Sequence, residues 1–535
     1  MAGDGVDAIR SSAVTRREFA GLAGLALTPR STAVREERHR VVIIGAGVGG
    51  AVAAFRFARA GVDNVVLERG RRWPITPAAD TFPRVPSVDE RLFWLDGGES
   101  TPASGVPVPP EVFGVLTPVT ASARSTGLLD VVADDALTVV CGAGVGGGTL
   151  VYAGVLLQPP PEAFHLVFPP EVDYGELDRV HYPRARRRMV SAVLPDDLLA
   201  HPRYRSHHLW RSALASAERP VERLTVNYDI GILRAELTGG AEPAATVGQY
   251  VFTGCDSGAK MSVDRTYLAR AEATGRTRVR PLHHVVDIAQ NRDGTYRVTA
   301  DRLAVGGAVI GRVVLHCDAL VLAAGGVHTP RLLVTARDTG ALPRLNESVG
   351  RGWGTNGDHA ILIKTLAAAT GAPQGGPPAF MVRNQEGTAV LMHAPLPLPV
   401  ESGLLACLGM GIPDRLGRWT YDGSAARARL DWAPGSDATA RRAVADLARQ
   451  AARGVPLGAV VVEPFGARPL TVHPLGGAVI GEATDTYGRL HGYDRLYCLD
   501  AALLPGSAAA VNPALTIAAL VERCLDRILR EDFAR

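Results

Sequence analysis

The stretch from Arg40 to Gly70 leaves this chain few folds to choose from. Val41, Val42, Ile43 and Ile44 form a continuous β-branched run, as a strand buried on both faces of a parallel sheet requires. The run breaks on Gly45-Ala46-Gly47-Val48-Gly49-Gly50, a G-x-G-x-x-G arrangement. Residues 51–60 then read as a helix of small residues, and Val65, Val66 and Leu67 as a second strand ending on Glu68. Gly45 permits the tight turn, Gly47 lets a diphosphate approach the backbone, and Gly50 lets the helix pack closely on the strand. The helix N-terminus offers free N–H groups to phosphate, and Glu68 stands where a carboxylate takes ribose hydroxyls. This is a Rossmann-type dinucleotide unit. By itself it leaves NAD and FAD open.

Three later segments belong with it. Gly142, Gly144, Gly146, Gly147 and Gly148, ahead of Thr149, are too dense for a helix interior or a strand, and give a backbone able to press against an extended cofactor. Ala319, Leu320, Val321 and Leu322 form a buried strand that breaks on Gly325 and Gly326 before a helix. Near the end, Leu496 to Leu499 supply a last strand with Asp500 at its tip, and Asn512-Pro513 open a final helix aimed at the same crevice. Cofactor segments from residue 41 to beyond 512 imply an α/β fold whose dinucleotide domain is interrupted by a second domain. The expected division gives a leader over residues 1–37, an FAD-binding domain over 38–72, 135–158, 246–350 and 470–535, and a substrate domain over 73–134, 159–245 and 351–469.

Composition narrows the function classes. A chain of 535 residues exceeds one ordinary core, so two domains are expected. With 47% hydrophobic and 21% charged residues it is globular, and a net charge of +3 gives no support to nucleic-acid binding. The densest basic run, residues 184–188, reads as a solvated helix face. Six scattered cysteines carry neither metal-ligand spacing nor a disulfide framework, and no H-E-x-x-H occurs, so no metal site is expected. No apolar run reaches the roughly 18 residues that span a membrane, so stable membrane insertion is not expected. Thr15-Arg16-Arg17-Glu18-Phe19 followed by apolar residues 20–27 reads as a twin-arginine export signal; the alternative is a leader on a cytoplasmic enzyme.

With these segments in hand, the sequence resembles the glucose–methanol–choline (GMC) oxidoreductase superfamily, and within it the cholesterol oxidases that hold FAD without a covalent bond. The stretches that carry the resemblance include IGAGVGGAVAA, GAGVGGGTLV, SVDRTYLARA, VHPLGGAVIGEATDTYGRLHGY and LPGSAAAVNPALTIAALVER, and it covers nearly the whole chain after residue 40. The resemblance implies a substrate domain built on a mostly antiparallel sheet over a buried pocket, and a cofactor contact at Val285. It also implies an apolar small-molecule substrate, with dioxygen as an acceptor. His473, in HPLGG, and Asn512, in VNP, match the paired catalytic positions of the superfamily. Oxidising an alcohol removes a hydroxyl proton and a carbinol hydride. An imidazole can orient the hydroxyl and take the proton, and a carboxamide beside it can donate to the oxygen without titrating. The pairs His207-His208 and His283-His284 lack such context and read as surface or packing residues.

The chain departs from the cholesterol oxidases where the pocket is made. Met392 stands in place of the glutamate that moves the double bond after oxidation, and Val390 in place of an aromatic that gates the oxygen path. Tyr152 replaces an asparagine and Val155 a methionine. The expected function is therefore oxidation of a secondary alcohol on a steroid-like, terpenoid or polyketide substrate, without the isomerase step and without dioxygen as the obligatory acceptor. A flavin-dependent isomerase or cyclase with no net oxidation is the competing reading. His393 adjoins Met392, but on a strand its side chain points to the opposite face.

Overall fold

The β-branched run at residue 41 becomes the centre of the largest sheet. The computed structural model describes residues 35–534 apart from 86, 96–123, 134–136, 219 and 467–468; the segment read as an export signal lies outside the described residues. Strand β1 (Arg35–Ile44) pairs in parallel with β2 (Asn64–Leu67), and β2 with β3 (Thr277–Arg280). On its other side β1 pairs with the last part of a long strand, and β4 (His283–Gln290), β5 (Tyr296–Leu303) and β6 (Val309–Leu322) continue the sheet as an antiparallel meander. The strand Leu496–Cys498 adds in parallel to the end of β6. Ile44, Leu67, Leu322 and Cys498 thus end side by side. A crevice outside such carboxyl ends is where dinucleotides bind.

Helix α1 (Val48–Arg59) starts directly after β1 and packs against α3 (Ala514–Glu531), while α2 (Gly325–Asp338) follows β6. Its buried residues are mostly glycine and alanine, because the backbone approaches its neighbours closely. A Cβ on Gly50 would stand 1.9 Å from the Gly45 carbonyl oxygen, and one on Gly49 would stand 1.8 Å from that of Leu499. The basic run corrects the sequence reading. It lies on the helix Tyr182–Met189, and Arg184 donates to Asp526 at 2.8 Å while Arg188 bonds the fully buried Glu522. Two acidic residues on α3 draw these arginines onto it, so the face is a partly buried ion-pair network.

A second, five-stranded sheet sets the site. Leu470–Thr471 runs parallel to Thr138–Gly142, with Leu470 opposite Thr138 and Thr471 opposite Val139. The second glycine segment and His473 therefore leave neighbouring strands in the same direction. The expected change of domain between residues 134 and 135 falls between two paired strands of this sheet, Leu129–Ala133 and Thr138–Gly142.

The third sheet is antiparallel throughout. Its order is Ala459–Val462, β7 (His359–Thr365), Leu404–Gly411, β8 (Phe380–Arg383 precedes it in sequence; β8 itself is Ala389–His393), Phe380–Arg383 and Glu222–Arg223. The helices Ala438–Arg453 and Arg205–Ser216 cover one face, and the other looks toward the ends of the parallel strands. No helix among the described residues is long and apolar enough to cross a membrane.

Candidate active site

A cavity of about 710 Å³ runs from the ends of the parallel strands to the antiparallel sheet. At the first end, Gly45, Gly47 and Glu68 line it with Gly142, Gly147, Gly148 and Thr149. The two glycine segments meet here: a Cβ on Gly147 would lie 2.6 Å from the Gly47 Cα. Gly148 has open space where a side chain would stand, so its backbone faces the cavity bare. Helix α1 begins on Gly47 without a side-chain cap, which leaves its first N–H groups for an anion.

The acids at this end are tied to backbone. Glu68 accepts from Ala46 N at 3.0 Å and Gly70 N at 2.9 Å, and burial raises its pKa above the ordinary carboxyl value. Two N–H donors leave lone pairs on the carboxylate for hydroxyls. Asp500 accepts from Gly325 N at 2.7 Å, Thr329 Oγ1 at 2.6 Å and Ala502 N at 2.7 Å, and burial raises its pKa too. It joins the tips of two parallel strands. The Thr149 hydroxyl donates to Gly146 O and accepts from Val263 N, so it serves the loop's own shape.

His473 and Asn512 come together on the same cavity, with Val285, Asp500 and Pro513 also in its wall. The His473 Nδ1 lies 2.8 Å from Asp358 Oδ1. Asn512 is 7% exposed and its Oδ1 has no hydrogen-bond partner among the described residues. A buried carboxamide oxygen without a partner is costly unless a ligand or water meets it. The bare glycine cradle, the uncapped helix and this carboxamide fit a bound dinucleotide. Sequence reasoning had no signal for Asp358 beyond its place in the stretch GWGTNGD.

The far wall is apolar. Met392, Leu408, Ala406, Ile361 and Leu396 line it, and Tyr152 and Val155 stand at its margin. Three expected residues are not in the wall. Gly50 is spent on helix–strand packing, and Gly144 packs against Trp73 and Leu150. Val390 pairs with Met410, two residues along the strand from the Met392–Leu408 pair at which the cavity ends. His393 is turned to the helix side, its ring centroid 5.2 Å from that of His207 and 6.5 Å from that of Trp210. Burial, then the neighbouring His207, pushes its pKa well below the ordinary value. His283 and His284 do line the cavity, against the packing role read from sequence, because β4 borders the crevice. A further polar cluster was missed: the buried Asp130 accepts from Arg69 at 2.7 Å and meets His328 Nε2 at 2.9 Å, and both partners line the cavity. Burial opposes the Asp130 charge, but Arg69 and His328 outweigh it and hold the carboxyl well below its usual range.

Known proteins agree with this architecture. A family model described as GMC oxidoreductase matches residues 426–520. A cholesterol oxidase of Mycobacterium tuberculosis is 26% identical over 585 aligned residues, covering 91% of this chain and 90% of its own. A cholesterol oxidase of Acinetobacter baumannii is 23% identical, covering 91% and 94%. The chain is a flavin-dependent oxidoreductase whose residues 426–520 match the GMC oxidoreductase family. Among solved structures, pyridoxine 4-oxidase from Mesorbium loti superposes with a TM-score of 0.60 at 13% identity, covering 92% of this oxidoreductase and 99% of its own chain. A fungal aryl-alcohol oxidase gives a TM-score of 0.60 at 14% identity, covering 93% and 99%. The oxidoreductase is a flavoprotein acting on an alcohol. Its glycine-lined end is where the flavin nucleotide would be held, by Gly47, Gly148, Glu68 and the start of α1.

Proposed function

We propose that this oxidoreductase oxidises a secondary alcohol on a bulky apolar, steroid-like substrate, holds FAD without a covalent bond, and lacks the steroid isomerase step. The observation that carries the reading is one cavity lined by His473, by Asn512, whose carboxamide oxygen has no partner among the described residues, and by an apolar wall around Met392. Bound flavin supplies the hydride acceptor. His473 orients the substrate hydroxyl and takes its proton, and Asn512 donates to the substrate oxygen. The apolar wall excludes water and selects a bulky carbon skeleton. Burial pushes the Cys141 thiol in the wall up to about 12, which makes it a poor nucleophile for a flavin link and supports non-covalent binding. Acid denaturation should release free FAD.

Moving a double bond needs a base that reaches the carbon between carbonyl and alkene. Met392 has no titratable group, and His393 faces the covering helices. Flavin bleaching is followed with a panel of sterols and apolar alcohols, and the ketone is identified. A 3β-hydroxy-5-ene sterol should yield mainly the unconjugated 5-en-3-one, and efficient formation of the conjugated 4-en-3-one would overturn the reading. His473→Ala should keep FAD but slow bleaching by about two orders of magnitude or more. Turnover with no reduction of the flavin would favour an isomerase or cyclase instead.

A further inference from the structure

His473 has two ring nitrogens, and its part in taking a proton depends on which one carries hydrogen at rest. The Nδ1 lies 2.8 Å from Asp358 Oδ1. The other carboxylate oxygen of Asp358 accepts from Thr471 Oγ1 at 2.9 Å, Val472 N at 2.9 Å and His473 N at 3.1 Å. Asp358 is 1% exposed, and all four contacts come from one short segment, residues 471–473. Three donors on one oxygen fix the group in rotation. A carboxylate only accepts, so the ring nitrogen facing it must donate.

We propose that Asp358 is a positioning residue that locks His473 as the Nδ1–H tautomer, with the Nε2 lone pair presented to the cavity. No hydrogen bond to His473 Nε2 is made by the described residues, and the ring lines the cavity wall. The inference rests on the proposed alcohol oxidation only for its consequence. There the hydroxyl O–H bond breaks, its electron pair stays on oxygen, and the proton passes to Nε2. The resulting imidazolium carries hydrogen on both nitrogens, with its charge beside the Asp358 carboxylate. The same carboxylate anchors the His473 backbone N–H while its other oxygen meets the ring, so tautomer and position come from one group.

The test needs no substrate at first. The flavin-loaded protein is labelled with ¹⁵N-histidine, and ring tautomers are read at pH of about 8.5, roughly two units above free imidazole. The His473 signal is assigned by its loss in His473→Gln. The expected result is an Nδ1–H tautomer with its proton shifted downfield. Asp358→Ala should abolish that shift. Asp358→Asn keeps an acceptor for the backbone N–H groups and so guards against misfolding, yet its amide can donate to the ring and should populate the Nε2–H form. A wild-type Nε2–H tautomer, or an unchanged tautomer in Asp358→Asn, would overturn the proposal. With cholesterol as the probe, flavin reduction in Asp358→Asn should fall by about 10²–10⁴-fold, the range for a wrongly set histidine tautomer. If cholesterol bleaches neither protein while the tautomer shifts as expected, the positioning role stands and the proposed substrate class falls.

Discussion

The two ends of the cavity are built on different principles. At the cofactor end the wall is backbone: two glycine segments touch at Gly47 and Gly147, and the acids Glu68 and Asp500 are spent largely on main-chain N–H groups. At the substrate end the wall is side chain, carried by residues of antiparallel strands such as Met392 and Leu408. The first end has no room for an added atom where backbone meets backbone, as at Gly49 and Gly147. The second changes its selectivity by exchanging side chains while the strands stay in place. Such an enzyme can keep its flavin chemistry and alter what it oxidises.

The largest effect that would break this contrast is at Gly49. A Cβ there would stand 1.8 Å from the Leu499 carbonyl oxygen and 2.9 Å from the Asp500 Cα, both backbone. Gly49→Val should cost on the order of 4–5 kcal/mol or more and give protein without flavin, or none that is soluble. Gly148→Ala is the control, since its added methyl meets nothing within 4 Å. Its stability should stay within about 0.5 kcal/mol of wild type, while its flavin dissociates faster. Thermal unfolding and the ratio of flavin to protein absorbance read both. A well-folded, flavin-loaded Gly49→Val would show that the backbone wall is softer than argued.

The same contrast explains what was legible in the sequence. Close backbone approach demands glycine, so the strand, turn and helix around Gly45 could be read locally, as could the second cluster. Gly49 sits at an unspecified position of the motif, and its constraint comes from Leu499 at the other end of the chain. Asp358 shows why sites are harder than folds: its partners Thr471, Val472 and His473 lie more than 110 residues further along the chain, and no local pattern encodes their meeting. Strand alternation was enough to turn His393 away from Met392. It could not say where along the strand the cavity ends, and so Val390 was expected in a wall that it does not reach.

A middle-sized effect is expected at Lys260, which braces the cofactor end from behind. Its Nζ donates to Leu150 O at 2.9 Å and to Tyr250 O, and it is 3% exposed. Burial lowers its pKa from 10.5 to about 7, against the opposing charges of Cys255 and Asp264. Between these values the unfolded chain binds a proton that the folded protein does not, so stability rises with pH across that window. The stability of wild type minus that of Lys260→Met should therefore increase from pH 7 upward by about 1.4 kcal/mol per unit. Taking the difference removes the buried thiols and phenols that titrate above. Denaturant unfolding at several pH values measures it, and a flat or falling difference would mean that the ammonium stays charged.

The smallest effect belongs to His393, and its smallness is the sharpest check on the substrate end. Its Nδ1 has no partner among the described residues, and its Nε2 lies a long 3.4 Å from Gln374 Oε1. Gln374 does not depend on it: that oxygen also accepts from Leu396 N at 3.2 Å, and its Nε2 donates to Leu404 O at 2.8 Å. Burial keeps the ring neutral, so no charge is lost with it. His393→Leu removes two poorly satisfied nitrogens and returns apolar volume between His207 and Trp210, so stability should move by less than about 1 kcal/mol in either direction. Sterol-driven flavin reduction should stay within about two-fold, since the ring lies off the cavity wall and no general-base effect is at stake. The ratio of unconjugated to conjugated ketone should not change. A ten-fold change in rate, or loss of a conjugated product present in wild type, would mean that the ring reaches the substrate through the strand, and that the two faces of Ala389–His393 are not separate.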